Sequence, residues 1–113
     1  MALNRRLALV GIAGFALARP RPARAATVSP TASVSIDNFT FSPDLLKVAV
    51  GTMVTFSNHD DLPHSVVSAE RPPLFKSKTL DTDDAFAWTF DKPGTYVYFC
   101  GLHPHMKGTV VVA

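Results

Sequence analysis

Residues 91–112 read DKPGTYVYFCGLHPHMKGTVVV. Asp91 to Gly94 carries turn residues. Beyond it the side chains alternate, with Tyr96, Tyr98 and Cys100 on one face and Val97 and Phe99 on the other, the period of a β-strand. Gly108 to Val112 is a second, β-branched run suited to a closing strand. Between the two strands a short loop delivers a thiol, an imidazole and a thioether at three-residue intervals, at Cys100, His103 and Met106. The stretch therefore reads as strand, ligand-bearing loop, strand.

Working outward, the same texture continues upstream. Val34 and Ile36 alternate with Ser, and Phe39 and Phe41 flank Thr40 ahead of the turn residues Ser42-Pro43-Asp44. Leu46, Val48 and Val50 alternate up to Gly51, and Met53 to Phe56 follows at once. These two short runs around Gly51 read as adjacent strands. Ser57 to Pro63 is a polar loop containing His59, Asp60 and Asp61, and His64 opens a short strand over Ser65 to Val67. Glu70 to Lys78 holds Pro72, Pro73 and three basic side chains, the composition of a long surface connection. Phe86, Trp88 and Phe90 then share one strand face. Seven or so short strands with frequent turns, and no convincing helix, predict an all-β fold, an antiparallel sandwich.

The chain has 113 residues, enough for one domain. Its first stretch reads as an export signal. Arg5 and Arg6 precede a 12-residue apolar run from Leu7 to Ala18, and Ala23-Arg24-Ala25 forms an A-x-A cleavage pattern. The run is shorter than the roughly 20 residues of a membrane span. Paired arginines admit the twin-arginine route beside the general secretory one. The expected organisation is a cleaved signal over residues 1–25 and a single domain over 26–113. Five of the 11 Lys and Arg fall in the signal and none of the nine Asp and Glu does, so residues 26–113 carry six against nine, a net charge of −3. The basic balance that would favour nucleic acid belongs to the signal, and nucleic-acid binding loses its warrant.

Cys100 is the only cysteine. A small exported domain often staples itself with disulfides, but one thiol cannot form an internal bridge. Ligation to a metal gives that thiol a use. Cys, His and a weak Met are three of the four ligands of a mononuclear blue-copper site, which needs a second His. His64, preceded by Pro63 and followed by strand residues, suits that place. His105 competes with His103. Adjacent to Met106, it points away from the metal if Met106 points inward. His59, beside Asp60 and Asp61, reads as solvated.

With these residues in view, the chain resembles the cupredoxins, in the branch of amicyanin and pseudoazurin. The resemblance rests on Val50-Gly51 with Val54 and Phe56, Pro63-His64, Phe90 through Gly94-Thr95-Tyr96, and Cys100 to Val112. It implies an eight-stranded Greek-key β-sandwich, one copper ion held by His64, Cys100, His103 and Met106, and a tyrosine corner at Tyr96. Two positions depart from the family habit. Asn often follows the first ligand His, and Ser or Thr often follows Cys, where they lock the ligand loops together. Ser65 and Gly101 stand there instead; Ser65 can still bond a backbone group, but the paired lock is expected to be weaker.

The expected function is that of a periplasmic, single-copper electron carrier, not an enzyme. Donor and acceptor redox proteins would dock transiently near His103, over a rim of Leu62, Pro63, Leu102, Pro104 and His105. No stable membrane association is expected once the signal is removed. A copper carrier or storage protein would favour several Met or His ligands, whereas Met53 and Met106 are the only methionines after the signal. A copper redox enzyme domain would place a His beside Cys100 to reach a second copper, but its neighbours are Phe99 and Gly101.

Overall fold

A computed structural model of the chain describes residues 30–113. The expected signal, residues 1–25, lies outside them. The described residues form eight strands. Strands β1 (Thr31–Asp37), β2 (Thr40–Ser42), β4 (Thr52–Asn58) and β6 (Ala85–Phe90) build one sheet in the order β2-β1-β4-β6. Strands β3 (Leu45–Val48), β5 (Val67–Ser68), β7 (Gly94–Phe99) and β8 (Lys107–Val112) build the other, in the order β3-β8-β7-β5.

The sandwich is as expected, but its sheets are mixed. β1 runs parallel to β4, from Thr31 opposite Met53 to Ile36 opposite Asn58, and β3 runs parallel to β8. The strands expected to be adjacent around Gly51 lie in different sheets. The runs on either side of Gly51 do not pair: β3 joins β8, and β4 joins β1 and β6. Gly51, at φ +92°, turns the corner between sheets, and its N–H bonds Phe90 O at 2.7 Å. A period-two pattern records that a strand has an inner face, not which sheet receives it. The turn from β6 to β7 is a second corner, tied where the Tyr96 hydroxyl donates to Lys92 O at 2.8 Å. That is the expected tyrosine corner.

The inner faces meet over Val34, Ile36, Phe41, Val54, Phe56, Phe90, Tyr98 and Val110, all buried. Phe41 and Phe56 both stand edge-on to Tyr98, with ring centroids 4.8 and 5.1 Å away. Tyr98 lies opposite Gly108 in the β7–β8 register, and any Cβ at Gly108 would overlap its ring. Gly108 is therefore the space into which the largest core side chain fits.

The stretch from Glu70 to Lys78 is more than a surface connection. Phe75 is buried and packs against Trp88 at 5.4 Å and Phe90 at 5.7 Å. Ser77 is buried as well, accepting from Val66 N at 2.8 Å and donating to Lys78 O at 2.7 Å. The strand expected from Ser65 shrinks for a related reason. Backbone donors of Ser65 and Val66 go to Cys100 Sγ and Ser77 Oγ, so ladder pairing with β7 starts only at Val67.

Candidate metal centre

Cys100 directly follows β7 and is wholly buried. Its own N–H bonds Met106 O at 3.1 Å, prolonging the β7–β8 ladder by one step and setting Cys100 and Met106 across from each other. Inside that closure, His103 N donates to Cys100 O at 3.2 Å and Met106 N to His103 O at 2.9 Å. Two successive three-residue turns thus explain the three-residue spacing of the loop. Met106 is buried in the same core cluster as Cys100, while His103 is half-buried and His105 exposed.

The distant His64 arrives from the other side. It pairs as a bridge with Leu80, His64 N to Leu80 O at 3.0 Å and Leu80 N to His64 O at 2.7 Å, and its side chain is fully buried. Asn58, also buried, pins the preceding loop by donating to Leu62 O at 3.0 Å and Leu80 O at 2.9 Å, and by accepting from Asp60 N at 2.9 Å.

Three donor atoms converge. His64 Nδ1 lies 3.6 Å and His103 Nδ1 3.8 Å from Cys100 Sγ, and the two nitrogens are 3.3 Å apart. An atom at the middle of that triangle would stand about 2 Å from each corner, the length of a metal–imidazole bond and slightly short for a metal–thiolate one. Among the described residues this is the one group of three or more His, Cys, Asp or Glu that could hold a metal ion. Met106 contributes a soft sulfur at the end of the same loop.

Protonation is arranged to match. Asp60 Oδ2 lies 2.9 Å from His64 Nε2. A carboxylate accepts, so Nε2 carries the hydrogen and Nδ1 presents its lone pair to Cys100 and His103. That bond from His64, and next the bond from Phe39 N at 3.1 Å, holds the Asp60 carboxyl below its ordinary range. Ser65 N donates to Cys100 Sγ at 3.4 Å and so ties the upstream loop to the end of the ligand loop.

The loop lock has the expected form, with Ser65 bonding a backbone group and no reciprocal side chain. Gly101 N donates to Ser65 Oγ at 2.9 Å, so one arm survives with the side chain on the upstream loop. A Cβ at Gly101 would sit 2.7 Å from that hydroxyl oxygen. The serine and the glycine are complementary, one filling the space the other leaves. The other arm, a side chain at 101 reaching back, is missing.

Two residues of the site went unread in the sequence. Asp60 looks like one of several loop acids, and only its place four residues before His64 hints at a role. Phe39 looks like core, yet it is 39% exposed and lies edge-on to both imidazoles, 5.5 Å from His64 and 5.1 Å from His103. His105 stands outside the triangle, its ring 6.4 Å from that of His103, and His59 faces solvent beside Asp83.

Known proteins share this frame. A family model described as a cupredoxin-like domain matches residues 7–112. Amicyanin-alpha of Methylorubrum extorquens is 35% identical over 82 residues, which span 70% of this chain and 69% of that protein. A chloroplastic plastocyanin of Physcomitrium patens is 37% identical over 84 residues, 65% of this chain and 50% of the other. Among solved structures, a purple cupredoxin from Nitrosopumilus maritimus superposes with a TM-score of 0.69 at 35% identity, covering 73% of this chain and 99% of its own. The oxidised state of a proline-to-alanine variant of amicyanin gives 0.70 at 33% identity, covering 79% and 89%. With a family model spanning residues 7–112 and a matching sandwich among solved structures, the chain belongs to the cupredoxin-like family.

Proposed function

We propose that this protein is an exported, mononuclear blue-copper electron carrier. His64 Nδ1, Cys100 Sγ and His103 Nδ1 would hold the metal, with the Met106 thioether as a fourth, weaker donor. The observation that carries the reading is the triangle of two nitrogens and one sulfur, with the His64 tautomer set by Asp60. When bound, copper supplies reversible one-electron chemistry between its two oxidation states. The chain's own residues keep the donor atoms at one spacing, exclude water from Cys100 and His64, and leave the half-buried His103 nearest to solvent. Residues 1–25 act as a cleaved signal, and residues 26–113 work in the periplasm. Redox proteins dock transiently over the exposed side chains around His103. No substrate is turned over.

Copper loading of residues 26–113 should give an intense visible band from thiolate-to-copper charge transfer and a small copper hyperfine splitting in EPR. Cys100→Ser should abolish both. A colourless copper complex, or a coloured Cys100→Ser protein, would refute the site. One structural relative is described as purple; Met106 in the ligand loop favours a blue site here, and the band position decides between the two colours.

A further inference from the structure

Three of the eight exposed large hydrophobic side chains gather at the metal end: Phe39, Leu62 and Leu102 are 39, 45 and 48% exposed. Phe39 contacts the His103 ring, Leu102 precedes His103, and Leu62 precedes Pro63-His64. Single exposed apolar side chains are ordinary, but a group around one half-buried imidazole is not.

This apolar end has an acidic flank. On the His64 side, two loops are fastened together. Thr82 Oγ1 donates to Asp60 O at 2.7 Å, Asp83 N to Asn58 O at 2.7 Å, and Asn58 N to Asp84 O at 2.9 Å. They bring together Asp60, Asp61, Asp81, Asp83 and Asp84, five of the nine acidic residues of the chain. No Lys or Arg lies between Val48 and Glu70 or between Thr79 and Asp91. Among the described residues the only ion pairs these acids make are with histidines, Asp60 with His64 at 2.9 Å and Asp83 with His59 at 4.0 Å. Nor do the acids converge as a cation site, since the described residues offer only the His64, Cys100 and His103 group. Beside Leu102, Lys76 lines a hollow of about 350 Å³ with Gly101 and Phe99.

We infer that this end docks a redox protein whose electron-entry face is apolar and flanked by lysine or arginine side chains, with the 60–61 and 81–84 loops as the anionic half of the contact. The inference rests on the electron-carrier reading and adds the chemistry of the partner. Like charges held together without counter-ions weaken a fold slightly, while complementary charge across a small contact raises the encounter rate tenfold to a thousandfold.

The test uses the copper-loaded, reduced protein in stopped flow with two one-electron oxidants. Tris(phenanthroline)cobalt(III) is a trication with an apolar rim, and hexacyanoferrate(III) is an anion. Each takes one electron from Cu(I), giving Cu(II) and Co(II) or Fe(II). Asp61→Asn/Asp81→Asn/Asp83→Asn should slow oxidation by the cobalt cation about tenfold at low ionic strength and speed oxidation by the anion. Asp44→Asn/Glu70→Gln/Asp91→Asn, with the same change in net charge, should change either rate less than about threefold. About 1 M salt, where the Debye length falls to roughly 3 Å, should erase the difference. The same ranking with lysine-rich mitochondrial cytochrome c as protein probe supports docking. Equal slowing in the two triple variants, or an effect on the cobalt complex that cytochrome c does not share, overturns the inference while the copper spectrum leaves the electron-carrier reading standing. Absence of the thiolate band in the unaltered protein overturns both.

Discussion

The contact between Ser65 and Gly101 can be taken apart by a double-mutant cycle. Ser65 is 7% exposed, and its hydroxyl oxygen accepts the Gly101 N–H at 2.9 Å. Ser65→Ala leaves that donor without its partner, at a cost of about 1–2 kcal/mol. Gly101→Ala meets a different obstacle. Its new Cβ would lie 2.7 Å from Ser65 Oγ and 3.3 Å from Val67 Cγ2. Overpacking of this kind costs about 1–3 kcal/mol, against which a stiffer unfolded chain returns about 0.4–1 kcal/mol. In the double variant the hydroxyl is gone and the methyl group occupies its space. The two losses should therefore fall short of additive by about 1 kcal/mol or more. Urea unfolding of the metal-free single and double variants measures the coupling. Strict additivity would refute the claim that the two residues share one space. The thiolate provides an internal control: its bond from Ser65 comes from the main chain at 3.4 Å, so the charge-transfer band should barely move in Ser65→Ala.

His103→Ala should disrupt the copper spectrum until added imidazole restores it, whereas the exposed His105→Ala should leave it nearly unchanged; optical titration of both variants would expose a loop threaded the other way. Met106→Leu should keep a coloured site but raise the reduction potential, because a weak axial donor to Cu(II) is lost; voltammetry reads this, and complete loss of copper would refute an axial role. Tyr98 carries a buried hydroxyl with no hydrogen-bond partner, and burial first, then the Asp44 carboxylate, pushes its phenol pKa up. The folded state thus holds this proton more tightly than the unfolded chain does, so stability is full below about pH 10 and falls as pH rises above it. Tyr98→Phe should flatten that alkaline loss in thermal melts between about pH 8 and 11 and cost less than about 1 kcal/mol at neutral pH; an unchanged alkaline slope would point to another group.

What could be read in advance was whatever the chain expresses locally. The alternation at Tyr96, Tyr98 and Cys100 and the spacing of Cys100, His103 and Met106 need no knowledge of distant neighbours, because one strand end and two tight turns impose both. The turn at Asp91 to Gly94 belongs to the same class, whereas the corner at Tyr96 was implied by the family resemblance and not by the local pattern. The pairing of β3 with β8 across the whole sequence is not local either, since Leu46 and Val48 would alternate identically beside any strand. Phe75 and Ser77 were hidden by their neighbours: Pro72, Pro73, Lys76 and Lys78 dominate the composition of a segment whose two inward side chains do the anchoring. Asp60 escaped because its partners, Phe39 and His64, approach it from two separate loops.

Phe39 shows how a local preference and a site requirement can be in conflict. Asn38 and Phe39 form the two-residue connection between β1 and β2, with Asp37 opposite Thr40, and their φ angles are +51° and +57°. A twisted hairpin calls for positive φ at both positions, where Asn-Gly is the usual solution. A phenylalanine pays roughly 1–2 kcal/mol there, because its Cβ crowds the following carbonyl. Glycine would relieve the turn but would leave His64 and His103 without the ring that now stands edge-on to both. The same peptide donates its N–H to Asp60, whose carboxylate oxygen also receives His64 Nε2. One acid therefore sets the turn and the tautomer together, and one strained residue covers the outer side of both imidazoles. An electron carrier benefits from such a frame, since the donor atoms must hold nearly the same positions in both oxidation states. The strain at Phe39 is offset at the site it covers, which is why no rule of hairpin sequence could have placed it there.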